Sequence, residues 1–252
     1  MPRFFENQKL ALNADFMLNK ENSQHCSKVL RMRENDQIEV CNGGEDYICD
    51  IVNISADCVT CKVVEIKEII SEPSVDVVLF QCLSKGDKLE SVIQKSVELG
   101  VKKIVPVLSS RCVSRPDEKK SAKKTERYNK IAKSACEQSG RGHIVTVEPT
   151  ISFKQALSCV ESADIPIMFY EGGGEPIAKI MEQNADKLKE IGDNRPTVAI
   201  MIGPEGGFSD EEVELARNSG IINATLGKRI LRTETAPLAA ITAIMLLSGN
   251  ME

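Results

Sequence analysis

The chain has 252 residues, enough for one large domain or two modest ones, and is 42% hydrophobic and 27% charged, the balance of an ordinary globular protein. Aromatics make up 4% and Trp is absent, so aliphatic side chains must fill the core; the longest apolar run, Ala236 to Leu247, is interrupted by Pro237 and Thr242 and falls short of the roughly 20 residues of a membrane helix. A net charge of −5 argues mildly against a nucleic-acid partner, although an average hides local patches.

Met1-Pro2-Arg3-Phe4-Phe5 turns polar at once and has no secretory apolar segment. Nine cysteines, scattered rather than framed, fit free thiols and a cytoplasmic location better than disulfides. A small basic group, Lys28, Arg31 and Arg33, comes first along the chain. Gln37 to Cys41 and Asp46 to Ile54 then flank Asn42-Gly43-Gly44, a turn signal between β-prone runs, and Cys58 to Ile66 follows. A small β-barrel or sandwich is expected over residues 1–72, ending in the polar linker Ser71-Glu72-Pro73-Ser74.

From Val75 the period changes. Val75 to Gln81 reads as a buried strand; Leu89, Val92, Ile93 and Val97 fall at helical spacing, with Gly100 where a C′ residue belongs. Val101 to Leu108 is strand again. Tyr128, Ile131, Ala132, Ala135 and Cys136 mark one helix face; its flank carries Lys119, Lys120, Lys123, Lys124, Arg127, Lys130 and Lys133 against Glu126, a solvated surface or a footing for phosphates. Ile144 to Val147, Ile165 to Tyr170 and Thr197 to Ile202 are further strands. Such alternation over 73–252 predicts an α/β domain built on a parallel sheet, with ligands at the carboxyl ends of its strands.

There the chemistry-bearing segments lie. Thr197 to Ile202 runs straight into Gly203-Pro204-Glu205-Gly206-Gly207-Phe208, a turn whose backbone can approach a ligand closely. Ser209 to Glu212 forms a capping box, and its acids suit the helix dipole but repel phosphate. The Lys-Ser/Thr pair of a Walker loop is missing, and G-x-G-x-x-G does not occur. The short apolar stretch Ile221 to Leu226 leads into Gly227 to Pro237, which packs Arg232, Glu234 and two threonines ahead of an apolar helix from Leu238, with Pro237 in its first turn. Taken alone, that loop reads as an ordinary surface Arg–Glu pair as readily as a site.

Other signals are discounted. Cys58-Val59-Thr60-Cys61 has zinc-type spacing but no second pair, and buried thiols are the better reading, so no metal is expected. His25 and His143 are the only histidines, too few for a His-based nucleophile system. Glu171-Gly172-Gly173-Gly174-Glu175-Pro176 is acidic and suits a flexible loop after a strand.

Gly203-Pro-Glu-Gly-Gly-Phe-Ser209 followed by Leu226-Gly-x-x-Ile-Leu-Arg-Thr-Glu-Thr-Ala236 closely resembles the RsmE family, SPOUT-class enzymes that methylate ring nitrogen 3 of a uridine in small-subunit ribosomal RNA. Gln94 to Val101, Arg111-Cys112, Ala135 to Arg141, Tyr170-Glu171, and His25 with Val29 to Met32 also match that family's pattern, so the likeness covers nearly the whole chain. The resemblance implies a PUA-like barrel over 1–72, a SPOUT domain with a trefoil knot over 73–252, S-adenosylmethionine as cofactor, and a homodimer. It implies that Gly203, Glu205 and Gly206 form one wall of the cofactor pocket. Leu226, Gly227, Ile230, Leu231, Thr235 and Ala236 form the other, with Tyr170 and Glu171 at the mouth. On this likeness Arg232 contacts the developing uracil anion or a flanking phosphate, and Glu234 orients Arg232 or accepts the proton, with Glu205 the alternative base and solvent a third route. Lys28, Arg31, Arg33, Lys85 and Arg141 are the candidate RNA contacts, and small-subunit RNA, in an assembled subunit, is the expected partner. Two rival readings are a SPOUT enzyme acting on another RNA and a non-catalytic RNA-binding assembly factor.

Overall fold

The computed structural model describes residues 1–188 and 195–251. The chain divides into two compact units, Met1–Glu72 with Cys136–Ile144, and Pro73–Ala135 with Val145–Glu252.

The first unit contains β1 (Arg3–Phe5), β2 (Asp15–Met17), the short helix α1 (Lys20–Gln24), a π-helical turn at His25–Val29, and strands β3 (Gln37–Asn42), β4 (Glu45–Ile54) and β5 (Val59–Glu68). They form one mixed sheet ordered β1-β3-β4-β5-β2, in which only β1 and β3 run parallel. Gly43 and Gly44, at φ +61° and +91°, make the tight β3–β4 turn that the sequence signals, since both positions are left-handed. Along β5, Val59, Cys61 and Val63 are buried while Lys62 and Val64 face out, the alternation of a sheet with one covered face. In β4 that alternation breaks, with Tyr47, Ile48 and Cys49 all buried, where the β4–β5 register slips between Ile48 and Cys49. Phe4, Leu18, Ile38, Val40 and Ile51 complete the core.

Cys136–Ile144, expected within the second domain, belongs to the first unit, where a buried ionic lattice holds it. Arg141 donates from Nε and Nη2 to the two Glu72 carboxylate oxygens at 2.9 and 3.0 Å. The Arg141 carbonyl accepts from Arg3 Nε and Nη2 at 3.2 and 2.8 Å, and Arg3 also pairs with Asp46. His143 Nδ1 stands 3.0 Å from Glu72. Desolvation pushes the Glu72 carboxyl up, but His143 and Arg141 outweigh it and hold it well below the usual range.

The second unit runs β6 (Asp76–Cys82), α2 (Lys88–Glu98), β7 (Lys103–Leu108), α3 (Glu118–Ser139), β8 (Thr146–Val147), β9 (Ile151–Ser152), α4 (Phe153–Glu161), β10 (Ile165–Phe169), β11 (Glu175–Pro176), α5 (Ile177–Gln183), α6 (Ala185–Leu188), β12 (Thr197–Ile202), α7 (Asp210–Asn218), β13 (Ile222–Thr225) and α8 (Ala236–Leu247). Among the described residues every strand pair of this unit is parallel, and the order is β11-β13-β10-β12-β6-β7-β8 with β9 also on β7. Val198 to Ile202 are buried without alternation, as a central strand covered on both faces requires. Because β12 lies between β10 and β6, the turn after it opens at the middle of the sheet's carboxyl edge.

Candidate functional site

A cleft of about 590 Å³ opens at that edge, within the roughly 300–1,000 Å³ usual for small-molecule sites. Its floor is the carboxyl ends of β10 and β12, Phe169 and Ile202. One wall is the turn after β12, closed by the Gly207 N–H donating to Pro204 O at 2.9 Å. Gly207 has φ +66°, a left-handed position that favours glycine, and a Cβ there would push aside the Glu171 carboxylate that lies against it. Behind this wall Phe208 is fully buried and packs on Phe153 at 5.9 Å, and Arg111 Nη1 donates to the carbonyls of Gly206 and Phe208 at 3.1 and 2.9 Å. Ser209 then caps α7 in the expected box with Glu212, whose carboxylate also accepts the Ser110 N–H at 2.7 Å.

The facing wall is the loop from β13 to α8. It is fastened to the first by Thr233, buried, whose hydroxyl donates to Gly203 O at 2.7 Å and accepts from Gln81 Nε2 of β6 at 3.1 Å. The Arg232 carbonyl accepts the N–H groups of Thr235 and Ala236 at 2.8 and 2.9 Å, turning the chain into α8 with Thr235 at the N-cap. Thus the end of the chain crosses from the β13 side of the sheet to β6 directly over the mouth of β12.

Of the residues expected to hold a cofactor, Tyr170, Glu171, Gly203, Glu205, Gly206, Leu226, Gly227, Ile230, Leu231 and Ala236 all line this cleft, and Thr235 does not. Arg232 lines it and is exposed; Glu234 lies just outside the lining. Lys228 and Arg229 are additional exposed cations on the rim, which the sequence reading left out. Also unforeseen is Lys88, whose Nζ lies 3.4 Å from Glu205 and 3.2 Å from Glu234. The sequence offered no signal for it, because it stands far from both carboxylates along the chain.

Desolvation would raise the Glu205 carboxyl, yet the N–H groups of Lys85 and of its own backbone, with the Lys88 ammonium, hold it below the ordinary value. Glu234 is lowered by its own backbone N–H, then, against some desolvation, by Lys88 and Arg232. Both carboxylates are therefore charged at neutral pH.

Among the RNA candidates, Arg31, Arg33 and Lys85 are exposed; Arg31 has φ +55°, and Lys28 is exposed while pairing with Asp57 at 3.0 Å. Arg141 is the exception: at 2% exposure its guanidinium is spent on Glu72 inside the first unit, so it is withdrawn as a phosphate contact. Of the discounted pair, Cys61 is buried but Cys58 is exposed, and no metal-binding cluster occurs among the described residues.

The cleft is a glycine-lined slot with apolar side chains for a flat ring, backbone groups to read its edge, and Glu171 and Glu205 for a cationic group. That set of donors fits S-adenosylmethionine, whose sulfonium and ammonium are positive.

The model of an RNA methyltransferase domain matches residues 71–245, and that of an RNA methyltransferase PUA domain matches residues 18–64. The ribosomal RNA small subunit methyltransferase E of Bacillus subtilis (strain 168) is 36% identical over 97% of this chain and 96% of its own length. That of Buchnera aphidicola subsp. Acyrthosiphon pisum is 30% identical over 100% and 96%. Among solved structures, a ribosomal RNA small subunit methyltransferase E from Neisseria gonorrhoeae bound to S-adenosyl methionine superposes with TM-score 0.80 at 33% identity, covering 98% of each chain.

Proposed function

This chain belongs to the family of ribosomal RNA small subunit methyltransferase E, and from that premise we propose that it moves the methyl group of S-adenosylmethionine to nitrogen 3 of one uridine in small-subunit ribosomal RNA. The single observation that carries this is the cleft made by the Gly203–Phe208 turn and the Leu226–Ala236 loop, joined through Thr233.

Gly203, Gly206, Leu226, Gly227, Ile230, Leu231 and Ala236 would hold the adenosine part, with Tyr170 and Glu171 at the mouth. S-adenosylmethionine supplies a methyl group on a sulfonium that departs as a neutral thioether, so no acid is needed for the leaving group. What the protein must provide is alignment and a deprotonated nitrogen. Arg232, exposed on the lining, stabilises the negative charge left on uracil when nitrogen 3 loses its proton. Glu205 and Glu234 are weak proton acceptors, because backbone N–H groups first, and then the Lys88 ammonium, hold each ionised; Glu234 orients Arg232, and the proton leaves to solvent. The methylated atom lies on the pairing edge, so the target base must be unpaired or flipped out.

Lys28, Arg31, Arg33 and Lys85 grip phosphates, and this grip weakens with salt. The substrate is an assembled subunit in the cytoplasm. No helix among the described residues is long and apolar enough to cross a membrane. The working form is a homodimer: α8 buries Ala240, Ile241, Ile244 and Met245 but leaves Leu246 and Leu247, at 57% and 44% exposure, for a second copy.

The test is transfer of labelled methyl from S-adenosylmethionine to unmodified small subunits, large subunits and transfer RNA in parallel. Label in the small subunit alone is expected; label only in another RNA would move the substrate. Cofactor binding without any transfer would favour an assembly factor.

A further inference from the structure

We propose that Lys88 is a positioning residue for this reaction, an ionic clasp that holds Glu205 on one wall of the cleft to Glu234 on the other. The inference rests on the methyltransferase reading for its consequence, and on geometry for its substance. Lys88 is the first residue of α2, which follows the loop after β6. Its ammonium lies 3.4 Å from Glu205 Oε1 and 3.2 Å from Glu234 Oε2, so one cation faces two anions that belong to different loops. The same Glu205 oxygen accepts the Lys85 N–H at 3.0 Å, so the start of α2 is tied to the turn after β12 by backbone as well as side chain.

Glu234 depends on Lys88 more than Glu205 does. Its Oε2 is shielded from solvent and accepts no well-aligned hydrogen bond among the described residues, leaving the Lys88 charge as what it faces. Take that charge away, and two carboxylates confront one another across the join between the walls, with Glu234 Oε2 left facing no positive group at close range. The other charged groups nearby do not replace it. Arg232 acts on Glu234 at longer range, Arg111 is committed to the carbonyls of Gly206 and Phe208, and Glu171 adds a further negative charge beside Gly207. Repulsion would part the loops, and Arg232, two residues before Glu234, would move with its wall.

Thr233 and Lys88 thus make two fastenings of different kinds: a buried neutral hydrogen bond from Thr233 to Gly203, and a solvent-touched ionic contact at the next residue pair. The ionic one is the adjustable member. It can yield when a ligand with its own charges enters, whereas the Thr233 hydroxyl is held from both sides, by Gly203 O and Gln81 Nε2.

The experiment compares wild type, Lys88→Met and Lys88→Arg by hydrogen–deuterium exchange of the ligand-free protein, followed by cofactor titration. Lys88→Met is expected to speed exchange about tenfold in residues 203–207 and 232–236 while leaving α4 and β10 unchanged, because local opening is what exchange reads. Its affinity for S-adenosylmethionine should fall by about tenfold, with Lys88→Arg within about threefold of wild type in both measurements. Unchanged exchange in Lys88→Met overturns the clasp, and so does a Lys88→Arg protein as loose as Lys88→Met. If wild type binds no cofactor, the functional reading fails while the exchange result still judges the clasp.

Discussion

Arg232 is one of three exposed cations on the cleft lining, with Lys228 and Arg229, and the N–H groups of Thr235 and Ala236 that its carbonyl accepts fix the chain beneath it. Arg232→Ala should therefore lower turnover by about a hundredfold, the usual cost of one charge-stabilising donor, and leave cofactor affinity within a few-fold. Equal loss of cofactor binding in a titration would make it a pocket residue instead. The carboxylates give a second prediction. Both Glu205 and Glu234 are held below the ordinary carboxyl value, so their charged state persists as pH falls to about 4.3 and below. Between pH 6 and 8 the rate should then rise only with deprotonation of the uracil, without an acidic limb from a carboxylate. A limb near pH 6, measured under saturating substrates, would mark one of them as a raised-pKa base. At this scale the sequence was legible in its motifs: the Gly203–Ser209 and Leu226–Ala236 segments do face each other. Lys88, Gln81 and Arg111 acquire their places only from folding, since no spacing in the chain links them to the loops they touch.

The strands and helices of the second unit follow hydrophobic period closely. The run Thr197 to Ile202 is the whole of β12, and Gly100, at φ +98°, stands just past α2. Less legible were elements set by long-range pairing, such as the three-residue β1 and β2 and the two-residue β8, β9 and β11, which carry too little pattern to be seen locally. How loops join elements is likewise a tertiary matter. Thr233 ties the loop before α8 to β6 and to the turn after β12; Thr233→Val keeps the shape but leaves the Gly203 carbonyl without its donor, costing about 1–3 kcal/mol. Chemical denaturation should register that loss together with weaker cofactor binding; unchanged values would show the bond to be dispensable. The apolar outer side of α8 gives an element-scale test of assembly. Leu246→Glu, at a site 57% exposed in the single chain, should shift the protein to monomers in sedimentation while its helix content stays constant. A protein already monomeric before substitution would remove the dimer.

At the scale of the molecule, the division after Glu72 coincides with a visible Pro-containing polar stretch, but the return of Cys136–Ile144 to the first unit does not show in the sequence. Glu72 meets Arg141 and His143 there, with Ser71 and Cys41 donating to the Gly140 and Gly142 carbonyls, and the separation along the chain hides these pairings. Glu72→Ala should cost about 3–5 kcal/mol, the penalty for breaking a buried pair. Because the folded Glu72 carboxyl is depressed, its contribution is present above the unfolded value near 4.3 and is lost as pH falls further. Unfolding followed from pH 7 to 3 should show wild type losing its advantage over Glu72→Ala in the acid range; a constant difference would contradict the linkage. The same pairing explains why Arg141 looked like an RNA contact by residue type and is none by position. The knotted path implied by the resemblance had no local signature, since threading is a property of the whole chain.

The most direct measurement of the central claim is reverse transcription across small-subunit RNA after incubation of unmodified subunits with the protein and S-adenosylmethionine. Methylation on the pairing edge predicts one strong stop at a single uridine, present only with cofactor and lost with Arg232→Ala. Full-length copying throughout, with cofactor demonstrably bound, would contradict the assignment.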